Sequence, residues 1–328
     1  MTEFQIPLES LTPLKDKVVL ITGSSSGIGK ATVQLCLNLG AKVIAGDINP
    51  LPIDFLQDSK EAGVSSASLL FVKTDVSDWA SIRNLFIRGV ERFGVIDHVF
   101  ANAGIGPKSN FLEETFEDTG NGDGRQSNSK LLAPPNLRVL DVNLIGVLNA
   151  VRLGVYYLRK SGTESGGDEE AESKKVDESF SPSIAVTASA SSFQDFGAAD
   201  YTVAKHGVLG ILRGLFSDLQ QADLGSLDPA RRRKKVRLNA IAPSWTETGI
   251  VPKDVLVSMA VEVQAPEVVA RSVVKLFNDA TRHGELIYSR GGRYCEINRC
   301  EGGLLDGVTK IIPSVSEEGA VLEKMKRR

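Results

Sequence analysis

The chain contains few cysteines and histidines, and this scarcity excludes several kinds of protein. Only three of its 328 residues are cysteines, an odd number without a Cys-x-x-Cys spacing. We therefore expect a reduced, intracellular protein without disulfides, located in the cytoplasm. The three histidines stand far apart and form no cluster with acidic residues, so we predict no metal site. None of them accompanies a serine in a Gly-x-Ser-x-Gly elbow, which argues against a serine hydrolase.

Long apolar runs and a large excess of charge are also missing. No run of eighteen apolar residues occurs, so we predict no membrane span. The opening MTEFQIPLES lacks the basic and then apolar order of a secretory signal. The net charge of −3 gives no general attraction to nucleic acid. We interpret the basic run RRRKK at 231–235, which has no interleaved aromatic residues, as a solvated loop.

What the chain does have is an alternation of short apolar runs and longer helical patterns. The short runs are rich in Val, Ile and Leu and do not alternate with polar residues, which is typical of parallel strands covered on both faces. Strands are predicted at 17–21, 42–45, 68–73, 98–101, 183–187, 237–241 and 285–288. Helices are predicted at 27–39, 80–93, 137–159, 201–220 and 266–278. This order predicts one α/β domain over residues 1–328, doubly wound, with a mainly seven-stranded parallel sheet and helices on both faces.

Two polar segments, at 113–130 and 161–180, interrupt the alternation. Both are poor in apolar residues and cannot bury much surface. We interpret them as surface insertions that add nothing to the core.

The segment TGSSSGIG, from Thr22 to Gly29, joins the first predicted strand to the first predicted helix. Glycines there let the chain turn tightly and let backbone N–H groups reach a ligand without a Cβ in the way. The helix N-terminus adds free donors and a partial positive charge, which suit a pyrophosphate. Ordinary tight turns use the same residues, so the loop alone does not decide between the two. Its position between a strand and a helix favours a dinucleotide.

Asp47 follows the second predicted strand. A carboxylate there can accept hydrogen bonds from both hydroxyls of an adenosine ribose and would repel a 2′-phosphate. No Lys or Arg precedes Gly27 in the loop, and none directly follows Asp47. The pattern therefore favours NAD over NADP, and the alternative is a turn residue at the end of a strand.

Tyr201 and Lys205 are four residues apart and share one face of a predicted helix. A free phenol, with a pKa near ~10, is a poor base at neutral pH. A neighbouring ammonium and a cationic nicotinamide would favour the phenolate and lower that pKa. An amphipathic surface pair has the same spacing, so the pair gains meaning only from its surroundings.

Several motifs occur in one order from about residue 15 to 292, and together they resemble the short-chain dehydrogenase/reductase family. They are Thr22–Gly29, Asp75-Val76, Asn102-Ala103-Gly104, Asn143 in DVNLIG, the serines of VTASASS, Tyr201 with Lys205, and Asn239-Ala240-Ile241-Ala242-Pro243. The resemblance implies a Rossmann-type fold and a nicotinamide cofactor, NAD. By resemblance the cofactor-binding residues are Gly23, Ser25, Ser26, Gly27, Ile28, Gly29, Asp47, Asp75, Val76, Asn102, Ala103, Gly104, Tyr201, Lys205, Pro243, Thr246 and Thr248.

The resemblance also implies a catalytic tetrad, which is Asn143, Ser189, Tyr201 and Lys205. Tyr201 would be the general acid and base, and Ser189 would donate to the substrate oxygen. Lys205 would bind the nicotinamide ribose and favour the phenolate. Asn143 would hold a water that relays protons from Lys205 to solvent.

Two departures from the family pattern affect this assignment. The catalytic serine usually lies one residue further from the tyrosine than Ser189, at the position of Ala188. We prefer Ser189 because TASA resembles the family's serine segment, with Ser191 and Ser192 as alternatives. Ser244 replaces the family's glycine after Pro243, which puts the orientation of the nicotinamide loop in question.

The segment 244–265 occupies the place of the family's substrate loop. Its apolar side chains predict a lid, formed by Trp245, Ile250, Val251, Pro252, Val255 and Met259. Within that lid Trp245, Ile250 and Met259, together with Ser189, are the predicted substrate-binding residues. The lid favours a hydrophobic secondary alcohol or ketone, such as a steroid-, terpenoid- or polyketide-like molecule, over a sugar. The alternative is the ordinary packing of a short amphipathic helix.

The resemblance leads us to expect an NAD-dependent dehydrogenase that oxidises a secondary alcohol. A biosynthetic ketone reductase and a catalytically silent cofactor-binding scaffold are the alternatives. Family members pair through the helices predicted at 137–159 and 201–220, which implies a homodimer or homotetramer. The segment 293–328 extends beyond the family core, and we expect it to cover the site or an interface.

Overall fold

A computed structural model of the chain describes residues 3–55, 57, 63, 65–107, 110–118, 130–160, 181–221, 234–250, 253–258, 260–315, 321 and 325. The insertion predicted at 161–180 lies outside these residues, and so does most of the one at 113–130. Three of the predicted lid residues, Val251, Pro252 and Met259, are also outside them.

The described residues form a nine-stranded sheet, a separate two-stranded ribbon and helices on both faces of the sheet. The strands are β1 (Glu3–Phe4), β2 (Val18–Thr22), β3 (Lys42–Asp47), β4 (Leu69–Lys73), β5 (His98–Ala101), β6 (Phe116–Asp118), β7 (Lys130–Leu132), β8 (Ser183–Thr187), β9 (Arg237–Pro243), β10 (Leu286–Arg290) and β11 (Arg293–Glu296). The helices are α1 (Gly27–Asn38), α2 (Trp79–Phe93), α3 (Arg138–Lys160), α4 (Ala199–Gly214), α5 (Phe216–Leu219), α6 (Lys253–Ser258), α7 (Pro266–Asn278) and α8 (Leu304–Ile311).

The strand order is β1-β11-β10-β9-β8-β5-β2-β3-β4. From β10 to β4 every pairing is parallel, which confirms the predicted doubly wound, seven-stranded parallel sheet. The sheet is nevertheless larger than predicted, because β11 pairs antiparallel with β10 and β1 pairs antiparallel with β11. The turn between β10 and β11 is Gly291-Gly292, with φ angles of 55° and 81°. Two consecutive glycines are a hairpin signal that the sequence contained. The first residues of the predicted C-terminal extension therefore belong to the sheet.

Alternate residues of β2 enter two different cores, which explains its uninterrupted apolar run. Val18 and Leu20 belong to a cluster with residues of α2, α3 and α4, whereas Val19 and Ile21 belong to a cluster with residues of α1 and α7. All four side chains are buried. Each fully buried Val, Leu or Ile contributes roughly 1.5–3 kcal/mol, so this central strand is held from both faces.

The strand order reverses beside β2, because the chain proceeds to β3 and β4 on one side and then returns to β5 on the other. Crossovers leave in opposite directions there and open a crevice at the carboxyl ends of the strands. The glycine loop follows β2, and Asn102 follows β5. The fold therefore brings these two predicted motifs to one place.

One helix of the described residues, Arg138–Lys160, is long and apolar enough to cross a membrane by length and composition. Half of its most apolar window is buried inside the protein. Val147, Ala150 and Val151 pack into the core against the sheet. A core helix meets the same criteria, and here the helix forms one layer of the fold.

Candidate active site

A cavity of about 820 Å³ occupies the crevice between β2 and β5. Most of the predicted site residues line it, namely Gly23, Ser26, Gly27, Ile28, Asp47, Asp75, Val76, Asn102, Ala103, Gly104, Asn143, Ser189, Tyr201, Lys205, Pro243, Trp245, Thr246, Thr248 and Ile250. Ser25 and Gly29 are not on its wall, and Met259 lies outside the described residues. The structure thus brings residues from positions 23 to 250 around one space.

The glycine loop has little room for side chains. Gly23 has a φ of 66°, and a Cβ there would lie 2.7 Å from the Cα of Ala103. Gly27 has a φ of 49°, and its Cβ would lie 2.9 Å from Cγ2 of Thr248. A Cβ on Gly29 would collide with the carbonyl oxygen of Gly23. Ser26 gives the following helix no side-chain cap, which leaves its first N–H groups to a ligand. The loop therefore fits a pyrophosphate group.

Asp47 lines the cavity and also holds the glycine loop in shape. Its Oδ2 accepts a hydrogen bond from the Ser25 N–H at 2.9 Å, and its Oδ1 accepts one from the Asn49 N–H at 2.9 Å. The Ser25 hydroxyl donates to the Asn49 carbonyl at 2.7 Å. Asp47 has the turn role that was the alternative at the sequence level. Each carboxylate oxygen keeps a lone pair for a further donor.

Asp75 lines the cavity together with Arg138, which was not among the predicted site residues. The Ser77 hydroxyl donates to Asp75 Oδ1 at 2.6 Å, and Arg138 Nη2 donates to Asp75 Oδ2 at 3.0 Å. The hydrogen bond from Ser77 is the largest cause that lowers the pKa of Asp75, and the nearby Arg138 guanidinium adds to it. The two partners are 63 residues apart, and no local pattern in the sequence points to the pair.

Asn102 ties three strands together below the cofactor cleft. Its Nδ2 donates to the carbonyls of Thr22 and Gly23, both at 3.2 Å. Its Oδ1 accepts from the Thr187 hydroxyl at 3.1 Å. These contacts hold the ends of β2, β5 and β8 in register, which is the supporting role the resemblance implies.

Ser189 and Tyr201 meet inside the cavity. The Ser189 hydroxyl lies close enough to the phenol of Tyr201 to act on its pKa. Burial raises the pKa of Tyr201 because removal from water disfavours the charged phenolate, and Ser189 opposes this rise. The lowered pKa of Tyr201 expected beside a cationic nicotinamide stays a prediction.

The local structure around the serines separates the three candidates. Ser189 precedes a short 3₁₀ turn, Ala190–Ser192, and caps it. The Ser192 hydroxyl donates to the Lys205 carbonyl at 2.7 Å and accepts from the Ser189 N–H at 3.2 Å, so it has a structural task. The Ser191 hydroxyl is buried away from solvent. Ser189 is the one that contacts Tyr201.

Lys205 is buried, and its Nζ donates to the Thr187 carbonyl at 2.8 Å. Nζ lies 5.7 Å from the centre of the Tyr201 ring. Burial lowers the pKa of Lys205 from 10.5 to about 8, because a charged amine loses its hydration there. The group is still mainly an ammonium at pH 7.

Asn143 lies where helix α3 widens into a π turn, Asp141–Ile145. Its side-chain amide pairs with the backbone of Ile105 in both directions, donating to the carbonyl and accepting from the N–H at 2.8 Å each. Asn143 thereby anchors the loop that follows β5. A role in holding a water for Lys205 stays a prediction.

The loop after β9 forms the remaining wall of the cavity. Ser244 does not require a glycine conformation, since Asp16 and Ala260 are the non-glycine residues with positive φ in the described ranges. Phe196 lies between Tyr201 and Trp245, with ring centroids 6.0 Å and 6.2 Å away. Two aromatic side chains thus line the cavity on the Phe196 side of the phenol.

Comparison with known proteins identifies relatives of the whole chain. A family model for short chain dehydrogenases matches residues 17–167. The chain is 37% identical over 323 residues to the short-chain dehydrogenase/reductase ascJ of Acremonium egyptiacum, which covers 98% of this chain and 93% of that protein. It is 30% identical over 278 residues to a levodione reductase of Leifsonia aquatica, covering 84% of each.

The fold also matches a solved structure. The crystal structure of a short-chain dehydrogenase/reductase from Brucella melitensis, described as a glucose/ribitol dehydrogenase, aligns with a TM-score of 0.60 at 20% identity. The alignment covers 86% of this chain and 98% of that one. The glycine loop and the group Ser189, Tyr201 and Lys205 line one cavity. Together with these matches, this shows that the chain belongs to the short-chain dehydrogenase/reductase family of nicotinamide-dependent oxidoreductases.

Proposed function

We propose that the protein oxidises an apolar secondary alcohol to a ketone with NAD⁺. One observation carries this proposal: Ser189, Tyr201 and Lys205 line the same cavity as the glycine loop. The glycine loop, Asp47 and Thr246 would hold the cofactor. Phe196 and Trp245 would contact the substrate.

Each catalytic side chain has a distinct task in this reaction. When bound, NAD⁺ would supply the hydride acceptor and a positive charge. Tyr201 takes the proton of the substrate hydroxyl as the hydrogen on the same carbon leaves as hydride, so that a C=O bond forms. Ser189 donates a hydrogen bond to the substrate oxygen, where negative charge develops. The Lys205 ammonium, whose Nζ lies 5.7 Å from the centre of the Tyr201 ring, would favour the phenolate during the reaction.

The walls of the cavity support the proposed substrate class. Beside Tyr201 they carry Phe196 and Trp245, and further along Ile250, Val255 and Leu256. An apolar lining with a few convergent polar groups suits a hydrophobic small molecule better than a sugar. A steroid-, terpenoid- or polyketide-like alcohol has these properties.

The raised pKa of Tyr201 supports a second candidate, reduction of a ketone. A phenol that keeps its proton at neutral pH is ready to act as a general acid. The relative from Leifsonia aquatica is named as a reductase. Steady-state rates with NAD⁺ and alcohols, and with NADH and the matching ketones, compare the two directions. If the protein turns over neither the alcohols nor the ketones, the catalytically silent scaffold is the remaining interpretation.

Replacement of Asp47 by alanine tests the choice of NAD over NADP. The variant loses the charge that would repel a 2′-phosphate, so we expect the NAD⁺/NADP⁺ ratio of kcat/KM to fall by about tenfold or more. Because Asp47 also holds Ser25 and Asn49, thermal unfolding must show that the variant remains folded. A wild-type protein that prefers NADP⁺ would refute the assignment.

We further propose that the protein works as a homodimer or homotetramer. Helices α3 and α4 expose Leu148, Tyr156 and Val203, which are 41%, 52% and 55% accessible. Light scattering on the purified protein tests this, and a monomer at micromolar concentration would contradict it.

A further inference from the structure

Gln264 closes the base of the loop that carries Trp245 and Thr246. The Gln264 N–H donates to the Trp245 carbonyl, and the Gln264 carbonyl accepts from the Glu247 N–H, both at 2.9 Å. These bonds form a parallel bridge between Thr246 and Gln264. In such a bridge the flanking residues supply the hydrogen-bonding groups, so the N–H and C=O of Thr246 itself face the opposite side. Thr246 lines the cavity, and these groups are therefore available to a ligand.

The Gln264 side chain adds a second attachment. Its Nε2 lies 3.1 Å from the Thr246 hydroxyl, 3.0 Å from the Ser289 carbonyl and 3.2 Å from the Ser289 hydroxyl. Because the nitrogen carries two protons, one N–H donates to Thr246 and the other is shared by the two oxygen atoms of Ser289. A carbonyl oxygen only accepts, so the nitrogen of the amide and not its oxygen must face Ser289. Gln264 is 3% exposed, and its Oε1 has no hydrogen-bond partner among the residues that the structure describes. A buried acceptor without a partner lowers the stability of the fold. The side chain of Gln264 therefore contributes to the loop through its N–H groups.

The contact with Gln264 fixes the direction of the Thr246 hydroxyl. That hydroxyl accepts from Gln264 and donates its single proton to the Ser244 carbonyl at 2.8 Å. A hydroxyl oxygen has two lone pairs, so one acceptor position remains. The Ser244 N–H in turn donates to the Ser289 carbonyl at 2.9 Å. Both ends of the loop are therefore fastened to the same residue of β10.

We propose that Gln264 is a positioning residue that sets Thr246 to receive the carboxamide of the nicotinamide ring. The inference rests on the proposed function. A carboxamide has N–H donors and a C=O acceptor, and these match the free acceptor position and the backbone groups that Thr246 presents. The loop that Gln264 fastens has Ser244 where the family pattern has glycine.

Binding measurements with two ligands test this role. Gln264→Met keeps the length of the side chain and removes its N–H groups. We expect the Kd for NADH to rise on the order of tenfold, while the Kd for ADP-ribose, which lacks the nicotinamide, stays unchanged. Thr246→Val should give the same selective loss, and the double variant should lose no more than either single one.

Tyr294→Phe is the matched control. It removes one partly buried hydrogen bond, from the Tyr294 hydroxyl to the Val268 carbonyl at 2.7 Å, on the strand paired with β10 but outside the loop. We expect neither Kd to change. If Gln264→Met leaves the NADH affinity intact, or weakens both ligands equally, the inference is refuted. Should that variant not fold, an unchanged NADH affinity in Thr246→Val refutes it, whereas a wild type that binds neither ligand refutes the proposed function.

Discussion

At the scale of single residues, burial acts on Tyr201 and Lys205 in opposite directions. It raises the pKa of the phenol and lowers the pKa of the amine to about 8. Each group is thereby pushed toward its neutral form. The site uses both groups to move a proton. Holding the charged amine of Lys205 away from water lowers the stability of the folded protein.

Lys205→Met should separate stability from activity. The folded state binds fewer protons than the unfolded state between pH 8 and 10.5, so wild-type stability rises with pH across that window. Below it the buried charge costs up to about 3 kcal/mol, at about 1.4 kcal/mol per pKa unit. We expect the variant to be the more stable protein at pH 7, with a gap that closes toward pH 10.5, and to lose at least about 100-fold in turnover.

Denaturant unfolding of both proteins at a series of pH values measures this gap. Comparing the difference between them cancels the titration of other groups. A variant that is less stable at pH 7, with a gap independent of pH, would contradict the burial argument.

At the scale of elements, the turn that follows β2 depends on two constraints at Gly23. The backbone has a positive φ of 66°, and the Cα of Ala103 fills the place of a Cβ. Gly94, at the end of helix α2, has a φ of 79° but nothing within 4 Å of its missing Cβ. Comparing the two glycines therefore distinguishes the effect of a positive φ from the effect of close packing.

Gly23→Ala should therefore be worse than Gly94→Ala. In the control, Gly94→Ala, the free energy of unfolding should fall by roughly 1–2 kcal/mol, because alanine adopts a positive φ less readily than glycine. Gly23→Ala adds a clash with backbone, for which we expect a further loss of about 1–3 kcal/mol and loss of NADH binding. Unfolding free energies and NADH titrations measure both effects, and equal losses in the two variants would show that close packing at Gly23 is unimportant.

The sequence predicted elements well where its pattern was local. The strands at 98–101 and 183–187 and the helix at 266–278 have the predicted bounds. The helix predicted at 201–220 instead ends at Gly214, and a separate short helix, α5 (Phe216–Leu219), follows. Partners such as Arg138 with Asp75 and Gln264 with Ser289 depend on long-range folding, so no periodicity could reveal them.

At the scale of the whole molecule, the N-terminal segment completes the sheet and covers one end of the core. Strand β1 is only two residues long, which is too short for a periodic signal. Phe4 stacks on Tyr294 of β11 with ring centroids 5.9 Å apart. Ile6, Leu11 and Leu14 are buried in the same cluster as residues of α1 and α7. This segment is therefore part of the domain and lies away from the cavity.

Ile6→Ala should destabilise the protein without changing its chemistry. Ile6 is 3% exposed, and removing a buried Ile side chain costs about 2–5 kcal/mol. Leu8→Ala is the control, since Leu8 is 51% exposed and its loss should stay within about 0.5 kcal/mol. We expect kcat to be unchanged in both variants well below their melting temperatures. A lower kcat in Ile6→Ala would show that the segment influences the site.

The most direct test of the central claim is the turnover and NADH affinity of Tyr201→Phe beside the wild type. The variant keeps the ring and removes only the hydroxyl that contacts Ser189. With NAD⁺ and an apolar secondary alcohol, we expect the wild type to form NADH and the variant to lose about 100-fold or more in kcat, with its Kd for NADH unchanged. Turnover by Tyr201→Phe at the wild-type rate, or a wild type that binds no dinucleotide, would contradict the account.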